Sequence, residues 1–329
     1  MPKKRKLLIA VFIIFCIPLI LIAYLYLFLP YSDYPQFDTT NSNELIERGA
    51  YLANHVAVCV DCHSTRDWRY YAGPIRPGTE GMGGERFDRG LGFPGVFVSK
   101  NITPAGIGDW SDRELARSIV TGVSRDGRPF FPVMPYPAYA NLSVADLTAL
   151  VAYIRTLKPI PNEVPAAEVD FPMNFILRTI PGPARPASVD PADTVAYGEY
   201  LTTIGGCAEC HTPANKGTKL PGMYLAGGFA FPFPDGSVVR SSNITPDDAT
   251  GIGKWSREQF IARFKSSDTP AARLIRVKPG EMNTYMPWIM YAGMSAADLG
   301  AIYDYLRTIP AVSNPVEKFT PATAESESP

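Results

Sequence analysis

An all-α fold made of two tandem copies of one module, behind a single hydrophobic helix, is what this sequence predicts, on three observations. The first is an internal repeat that runs through most of the chain. Arg48-Gly49-Ala50-Tyr51-Leu52 matches Tyr197-Gly198-Glu199-Tyr200-Leu201, and Asn101-Ile102-Thr103-Pro104 recurs as Asn243-Ile244-Thr245-Pro246. Gly106-Ile107-Gly108-Asp109-Trp110-Ser111 returns as Gly251-Ile252-Gly253-Lys254-Trp255-Ser256, and Met134-Pro135-Tyr136 as Met286-Pro287-Trp288. Leu142-Ser143-Val144-Ala145-Asp146-Leu147 matches Met294-Ser295-Ala296-Ala297-Asp298-Leu299. The second observation is that helix-start signals and helical apolar periodicity fall at equivalent places in both copies. The third is a run over residues 7–29 that carries no charged residue.

Taken in order, residues 1–6 form a basic leader containing Lys3, Lys4, Arg5 and Lys6. The apolar run at 7–29 has the length of a transmembrane helix, and Pro18 within it is tolerable in lipid. A cleaved signal peptide shares the basic start, but this run is too long for one and lacks a small-residue cleavage site before Pro30. Phe15 before Cys16 argues against a lipoprotein signal. The expectation is therefore an uncleaved single-pass anchor in the inner membrane of a bacterium. The positive-inside rule puts the basic end in the cytoplasm and all that follows in the periplasm.

A linker at 30–43 leads to the first module, 44–160; a proline-rich connection at 161–189 leads to the second, 190–312. Apolar content of 46% is enough for two separate cores. Each module opens with a helix, near Glu44 in one and at the Asp190-Pro191 cap pair in the other. A second helix starts at Ser111, with Glu114 completing a capping box, and at Ser256 with Gln259. The last helix starts at Ser143 with Leu147, Leu150, Val151 and Ile154 on one face, and at Ser295 with Leu299, Ile302 and Leu306. Long Gly- and Pro-rich loops lie between, which suits a module whose core is completed by something other than side chains. Proline stiffens the 161–189 connection, and its apolar stretch at 171–177 is expected to dock on a module. Residues 313–329 end in a small, acidic, polar stretch and read as a disordered tail.

Two segments carry the chemistry. Cys59-Val60-Asp61-Cys62-His63 and Cys207-Ala208-Glu209-Cys210-His211 both have the spacing C-x-x-C-H, the attachment signature of a c-type haem. The paired thiols are placed to form thioethers with the haem vinyl groups, and the adjacent imidazole to ligate the iron. Two copies predict two covalently bound haem c groups, on Cys59, Cys62, Cys207 and Cys210, with His63 and His211 as axial ligands. A shared four-thiolate zinc site is the alternative, but it leaves unexplained why two of only three histidines follow these cysteines. A thioredoxin-like dithiol is disfavoured by the lack of any βαβ pattern. The remaining cysteine, Cys16, lies in the apolar run, so no pair is left for a structural disulfide.

The repeat also offers a sixth ligand. Met134 and Met286 occupy equivalent positions, and a thioether raises the reduction potential and closes the iron to small ligands. Met282, Met290 and Met294 form a stripe with Met286 but have no counterpart in the first copy, so they are read as packing residues; Met82 is a poor rival to Met134. His55 stands one turn before Cys59, on the same side as His63, and reads as a half-exposed helix residue rather than a ligand. Gly73-Pro74 and Leu220-Pro221 are candidates for the carbonyl that accepts from each axial imidazole. Trp110 and Trp255 are candidates for the haem edge or a propionate, and Arg125 and Arg128 for propionate pairing. With a net charge of −1, and no phosphate loop, catalytic triad or basic surface pattern, neither an enzyme acting alone nor a nucleic-acid binder is indicated.

With Asn-Ile-Thr-Pro, Gly-Ile-Gly-x-Trp-Ser, Gly122-Val123-Ser124-Arg125-Asp126-Gly127-Arg128 and Met134-Pro135-Tyr136 in order, the chain resembles the multihaem cytochrome c subunits of membrane-bound alcohol, aldehyde and gluconate dehydrogenases. The resemblance covers nearly all of the chain beyond the apolar run. It implies two class I-like cytochrome c domains and electron transfer from a partner's cofactor toward ubiquinone or a terminal oxidase. It also implies His63 with Met134, and His211 with Met286, as axial pairs. Subunits of this kind usually carry three haem modules; this chain shows two. The expected function is a membrane-anchored periplasmic dihaem cytochrome c that moves single electrons between a dehydrogenase or similar donor and the respiratory chain. Two other readings remain: a dihaem peroxidase or thiosulfate-oxidising enzyme with one open iron, and a wiring subunit of a terminal oxidase.

Overall fold

A computed structural model describes residues 3–30, 33, 35, 37 and 42–322, with the side chains of residues 3 and 6–10 left out. Most of the 30–43 linker and the end of the tail, 323–329, therefore lie outside the described residues. The helices are α1 (Lys3–Leu27), α2 (Asn43–Tyr51), α3 (Cys59–Cys62), α4 (Pro104–Ile107), α5 (Asp112–Thr121), α6 (Tyr136–Tyr139) and α7 (Val144–Thr156). They continue as α8 (Met173–Ile176), α9 (Thr194–Ile204), α10 (Cys207–His211), α11 (Arg257–Lys265), α12 (Trp288–Tyr291) and α13 (Ala296–Leu306). The strands are β1 (Arg86–Phe87), β2 (Gly95–Val98), β3 (Glu168–Val169), β4 (Ala214–Asn215), β5 (Thr218–Lys219), β6 (Ala230–Pro232), β7 (Val238–Arg240) and β8 (Phe319–Thr320).

Polar side chains set where the helices begin. Ser42 caps α2. Ser111 and Ser256 cap α5 and α11 with complete capping boxes to Glu114 and Gln259. Ser143 and Ser295 cap α7 and α13. The second module's first helix starts later than Asp190: Asp193 caps it, accepting from Ala196 N at 3.1 Å, while Asp190 and Pro191 form the turn before it.

In each module the first helix crosses the last at backbone contact. A methyl group on Gly49 would lie 1.9 Å from the Ala149 carbonyl oxygen, and one on Gly198 the same distance from that of Ala301. This crossing brings Leu52, Val56, Leu147 and Leu150 together in one module and Leu201, Ile204, Leu299 and Leu306 in the other. All eight belong to a single apolar cluster that runs through both modules. Burying an aliphatic side chain of this size contributes about 1.5–3 kcal/mol, so the two modules stabilise one another as well as themselves.

Two expectations are corrected here. The fold is not all-α: among the described residues there are eight short strands in three antiparallel sheets, ordered β1-β2-β3, β4-β5 and β6-β7-β8. Strand β2 pairs Phe97 with Phe87 and Gly95 with Val169, and β7 pairs Val239 with both Phe231 and Phe319. The physical reason is that long loops carry backbone groups that must find partners, and short β-branched and aromatic runs between turns find them in one another. The small β4-β5 hairpin turns through Lys216 and Gly217, both at positive φ, as a two-residue hairpin requires. The third strands β3 and β8 occupy matching places in the two modules. Part of the proline-rich connection and part of the expected tail are thus strands.

The second correction concerns the anchor. Among the described residues no helix is long and apolar enough to cross a membrane. The transmembrane helix over 7–29, and with it the inner-membrane and periplasmic placement, is not retained. Helix α1 does meet the inter-module connection: Arg178 donates to the Leu29 carbonyl at 2.8 Å and stacks over the Tyr26 ring at 4.1 Å. Of the apolar stretch 171–177, Leu177 is buried, whereas Phe171 is 82% exposed.

Candidate cofactor site

The first C-x-x-C-H motif sits at a break in regular helix. Helix α2 runs into a π turn, Leu52–Val56, and Val58 takes a left-handed conformation before α3 carries the two cysteines. The second motif repeats the break, with Gly206 left-handed before α10. Both motifs are thereby turned off the axis of the preceding helix.

In the first module Cys59, Cys62 and His63 line a cavity of about 530 Å³, and Met134 lies on its wall. The remaining wall is largely apolar, including Phe97, Ile102, Trp110, Leu115 and Tyr139. His63 Nδ1 lies 2.7 Å from the Lys100 carbonyl oxygen. A carbonyl can only accept, so Nδ1 carries the proton and the lone pair is on Nε2. Desolvation, only partly opposed by the bond to Lys100, holds the His63 pKa below its ordinary value and so favours the neutral ring. The second module repeats the arrangement: His211 Nδ1 lies 2.7 Å from the Ser242 carbonyl oxygen, and desolvation lowers its pKa in the same way. Desolvation pushes the thiols of Cys59, Cys62, Cys207 and Cys210 up to about 12.

The accepting carbonyls are the ones immediately before the two Asn-Ile-Thr-Pro segments, which explains those segments. Asn101 is buried and accepts from Thr103 N and Oγ1 while donating to the Ile160 carbonyl at 2.8 Å. Asn243 does the same with Thr245 N and Oγ1 and the Val312 carbonyl at 2.7 Å. Each asparagine thus clamps the backbone beside the histidine's partner. Replacing Asn243 with alanine strands several buried polar groups at about 1–3 kcal/mol each. Chemical denaturation is expected to show a loss of about 2–4 kcal/mol, and a loss below about 0.5 kcal/mol contradicts the clamp.

Second contacts also recur. Tyr139 Oη donates to the Ala57 carbonyl and Tyr291 Oη to the Gly205 carbonyl, both at 2.7 Å. Each of these carbonyls stands two residues before a first cysteine, and burial raises both phenols well above their usual pKa, so they remain donors. Met134 and Met286 each begin a short turn into α6 or α12, with Tyr136 N donating to the Met134 carbonyl at 2.7 Å and Trp288 N to that of Met286 at 2.8 Å.

The other candidates are distributed as follows. The histidine partners are Lys100 and Ser242 rather than the 73–74 and 220–221 segments; Pro74 O instead accepts from Asp67 N. Lys100 and Ser242 went unread because a backbone acceptor has no side-chain signature, although both precede a repeated motif. Trp110 lines the cavity, whereas Trp255 is 37% exposed and its carbonyl accepts from Tyr303 Oη. Arg125 pairs with Asp109 and Glu114 outside the cavity, while Arg128 lines it. Met290 and Met294 are buried in the shared core, Met282 is exposed, and Met82 is half-buried. Beside the first motif a charged cluster escaped sequence reading: buried Asp61 pairs with buried Arg66 at 3.0 Å, and Arg66 with Glu85 at 3.0 Å. Among the described residues no group of three or more His, Cys, Asp and Glu side chains is placed to hold a metal ion.

The residues present fit a haem c. The cavity is largely apolar and of suitable size, and two thiols, an imidazole with its lone pair on Nε2 and a thioether line it.

No family model matches the chain. It is 31% identical over 283 residues to the fructose dehydrogenase cytochrome subunit of Gluconobacter japonicus, covering 81% of this chain and 53% of that one. It is 29% identical over 288 residues to the cytochrome c subunit of the quinone-type alcohol dehydrogenase of Gluconobacter oxydans, covering 82% and 55%. A diheme cytochrome c-type protein of Cereibacter sphaeroides is 30% identical over 269 residues, covering 77% of this chain and 82% of that one. The chain spans about half the length of the dehydrogenase subunits it matches. The apolar, histidine-bearing cavity behind a C-x-x-C-H motif and these relatives lead to one conclusion: the chain belongs to the cytochrome c family represented by the diheme cytochrome c-type protein of Cereibacter sphaeroides and by the cytochrome c subunits of alcohol, fructose and gluconate dehydrogenases.

Proposed function

We propose that this chain is a dihaem electron-transfer subunit that accepts single electrons from a dehydrogenase partner and hands them on toward the respiratory chain. The observation that carries the reading is the duplication of the hydrogen bonds around each motif, with imidazole Nδ1 bound to the carbonyl before Asn-Ile-Thr-Pro and a tyrosine on the carbonyl two residues before the first cysteine. One haem c is attached through Cys59 and Cys62 and ligated by His63 and Met134. The other is attached through Cys207 and Cys210 and ligated by His211 and Met286. Bound haem supplies a one-electron couple at its iron. The chain's own residues hold each imidazole neutral and oriented, exclude water with apolar walls, and present a thioether that leaves no position for a substrate. The names of the relatives support a dehydrogenase as donor.

Carbon monoxide tests the closed-site reading. Neither reduced haem is expected to bind it readily, because methionine must first leave. Rapid, complete binding at one haem contradicts the proposal and favours an enzyme with an open iron.

A further inference from the structure

His55, the one histidine outside the two motifs, lies at the seam between the modules. It belongs to the π turn that leads into the first motif, and its Nδ1 lies 2.9 Å from the Met290 carbonyl oxygen of the second module. Gly293 lies flat against the ring: a methyl group there would sit 2.1 Å from His55 Nδ1. The same seam runs past both motifs. A methyl on Gly205, two residues before Cys207, would lie 3.6 Å from the Val56 carbonyl oxygen, and one on Gly206 would lie 3.9 Å from Pro135, the neighbour of Met134.

Two tyrosines brace this seam reciprocally. Tyr51 Oη, on α2, donates to Asp298 at 2.6 Å and accepts from Ser295 N at 2.9 Å, at the start of the other module's last helix. Tyr200 Oη, on α9, donates to Asp146 at 2.7 Å and accepts from Ser143 N at 3.2 Å. The tyrosines are repeat equivalents, and so are the Ser–Asp pairs. Each brace ties a helix that leads into one motif to the final helix of the other module, so sliding or rotation of the modules breaks both at once.

We infer that His55, Tyr51 and Tyr200 are positioning residues that fix the two haem sites relative to each other, so that an electron passes between them inside one chain. The inference rests on the dihaem reading above. One electron leaves the His63 site, which is oxidised, and enters the His211 site, which is reduced, or the reverse; no bond forms or breaks and no proton moves.

The test uses the full chain with its haems, photoreduced when dilute so that transfer between sites is first-order. Pulsed electron paramagnetic resonance on the oxidised protein measures the iron–iron distance distribution. Gly293→Ala wedges the seam and is expected to shift or broaden that distribution and to slow transfer severalfold. His55→Ala/Gly293→Ala relieves the clash but also loses the bond to the Met290 carbonyl, and is expected to recover only part of the lost rate. Tyr51→Phe/Tyr200→Phe keeps both rings and is expected to slow transfer in the same direction; it also covers the case in which Gly293→Ala fails to fold. Unchanged rate and distance in the tyrosine pair or in folded Gly293→Ala, with only the melting temperature lowered, overturns the inference and leaves these residues purely structural. A parent chain without two haems is a different failure, since it removes the dihaem reading itself.

Discussion

Replacing Gly198 with alanine is expected to destabilise the second module by about 3 kcal/mol or more, the upper range for inserting atoms into a packed core. The added methyl would lie 1.9 Å from the Ala301 carbonyl oxygen, 2.5 Å from its carbon and 3.0 Å from Tyr305 Cβ. The first two are backbone atoms of a helix and cannot rotate away. The only relief is to part α9 from α13, which opens the apolar cluster around Leu201 and Leu299. Gly49→Ala should behave alike, with the Ala149 carbonyl oxygen 1.9 Å and Tyr153 Cβ 2.7 Å from the new methyl. At about 2–4 °C per kcal/mol for a chain of this size, the melting temperature should fall by about 6–12 °C. Gly182→Ala is the control: nothing lies within 4 Å of its added methyl, so stability should hold or rise slightly. A Gly198→Ala protein melting within about 1 °C of the parent contradicts the crossing described here.

The second large effect concerns the cavity. Cys59→Ala/Cys62→Ala removes both attachment points of the first site while leaving His63 and its bond to Lys100 in place. The expected product keeps haem only at the second site and shows half the parent's reduced c-type absorbance. It also melts well below the parent, because a cavity of about 530 Å³ walled by apolar side chains is costly when nothing fills it. Full parental absorbance in this variant contradicts the assignment of the first site.

How much of this was readable in the sequence follows from the range of each interaction. The motifs, the paired methionines and the helix caps are local and duplicated, so alignment of the chain with itself exposes them. The π turn before Cys59 and the left-handed Val58 have no signature, because valine rarely adopts positive φ. The strands are two to four residues long, too short for alternation to be recognised. The seam is the least readable part: Tyr51 and Asp298 are 247 residues apart. The repeat aligned Tyr51 with Tyr200, and Asp146 with Asp298, without revealing that each tyrosine bonds across the copies. His55 reads as a half-exposed helix residue and is one, but its bond to the Met290 carbonyl, 235 residues away, has no local signature. The uncharged run at 7–29 reads as one span in the sequence, yet among the described residues no helix is long and apolar enough to cross a membrane.

The central claim is that each C-x-x-C-H motif holds a haem covalently, and the intact mass of the denatured protein tests it most directly. Denaturation strips zinc and any loosely held group but leaves thioether bonds intact. The account predicts the mass of the chain plus two haems, falling to one haem in Cys59→Ala/Cys62→Ala. A parent mass equal to the chain alone, or to the chain plus a single haem, contradicts it.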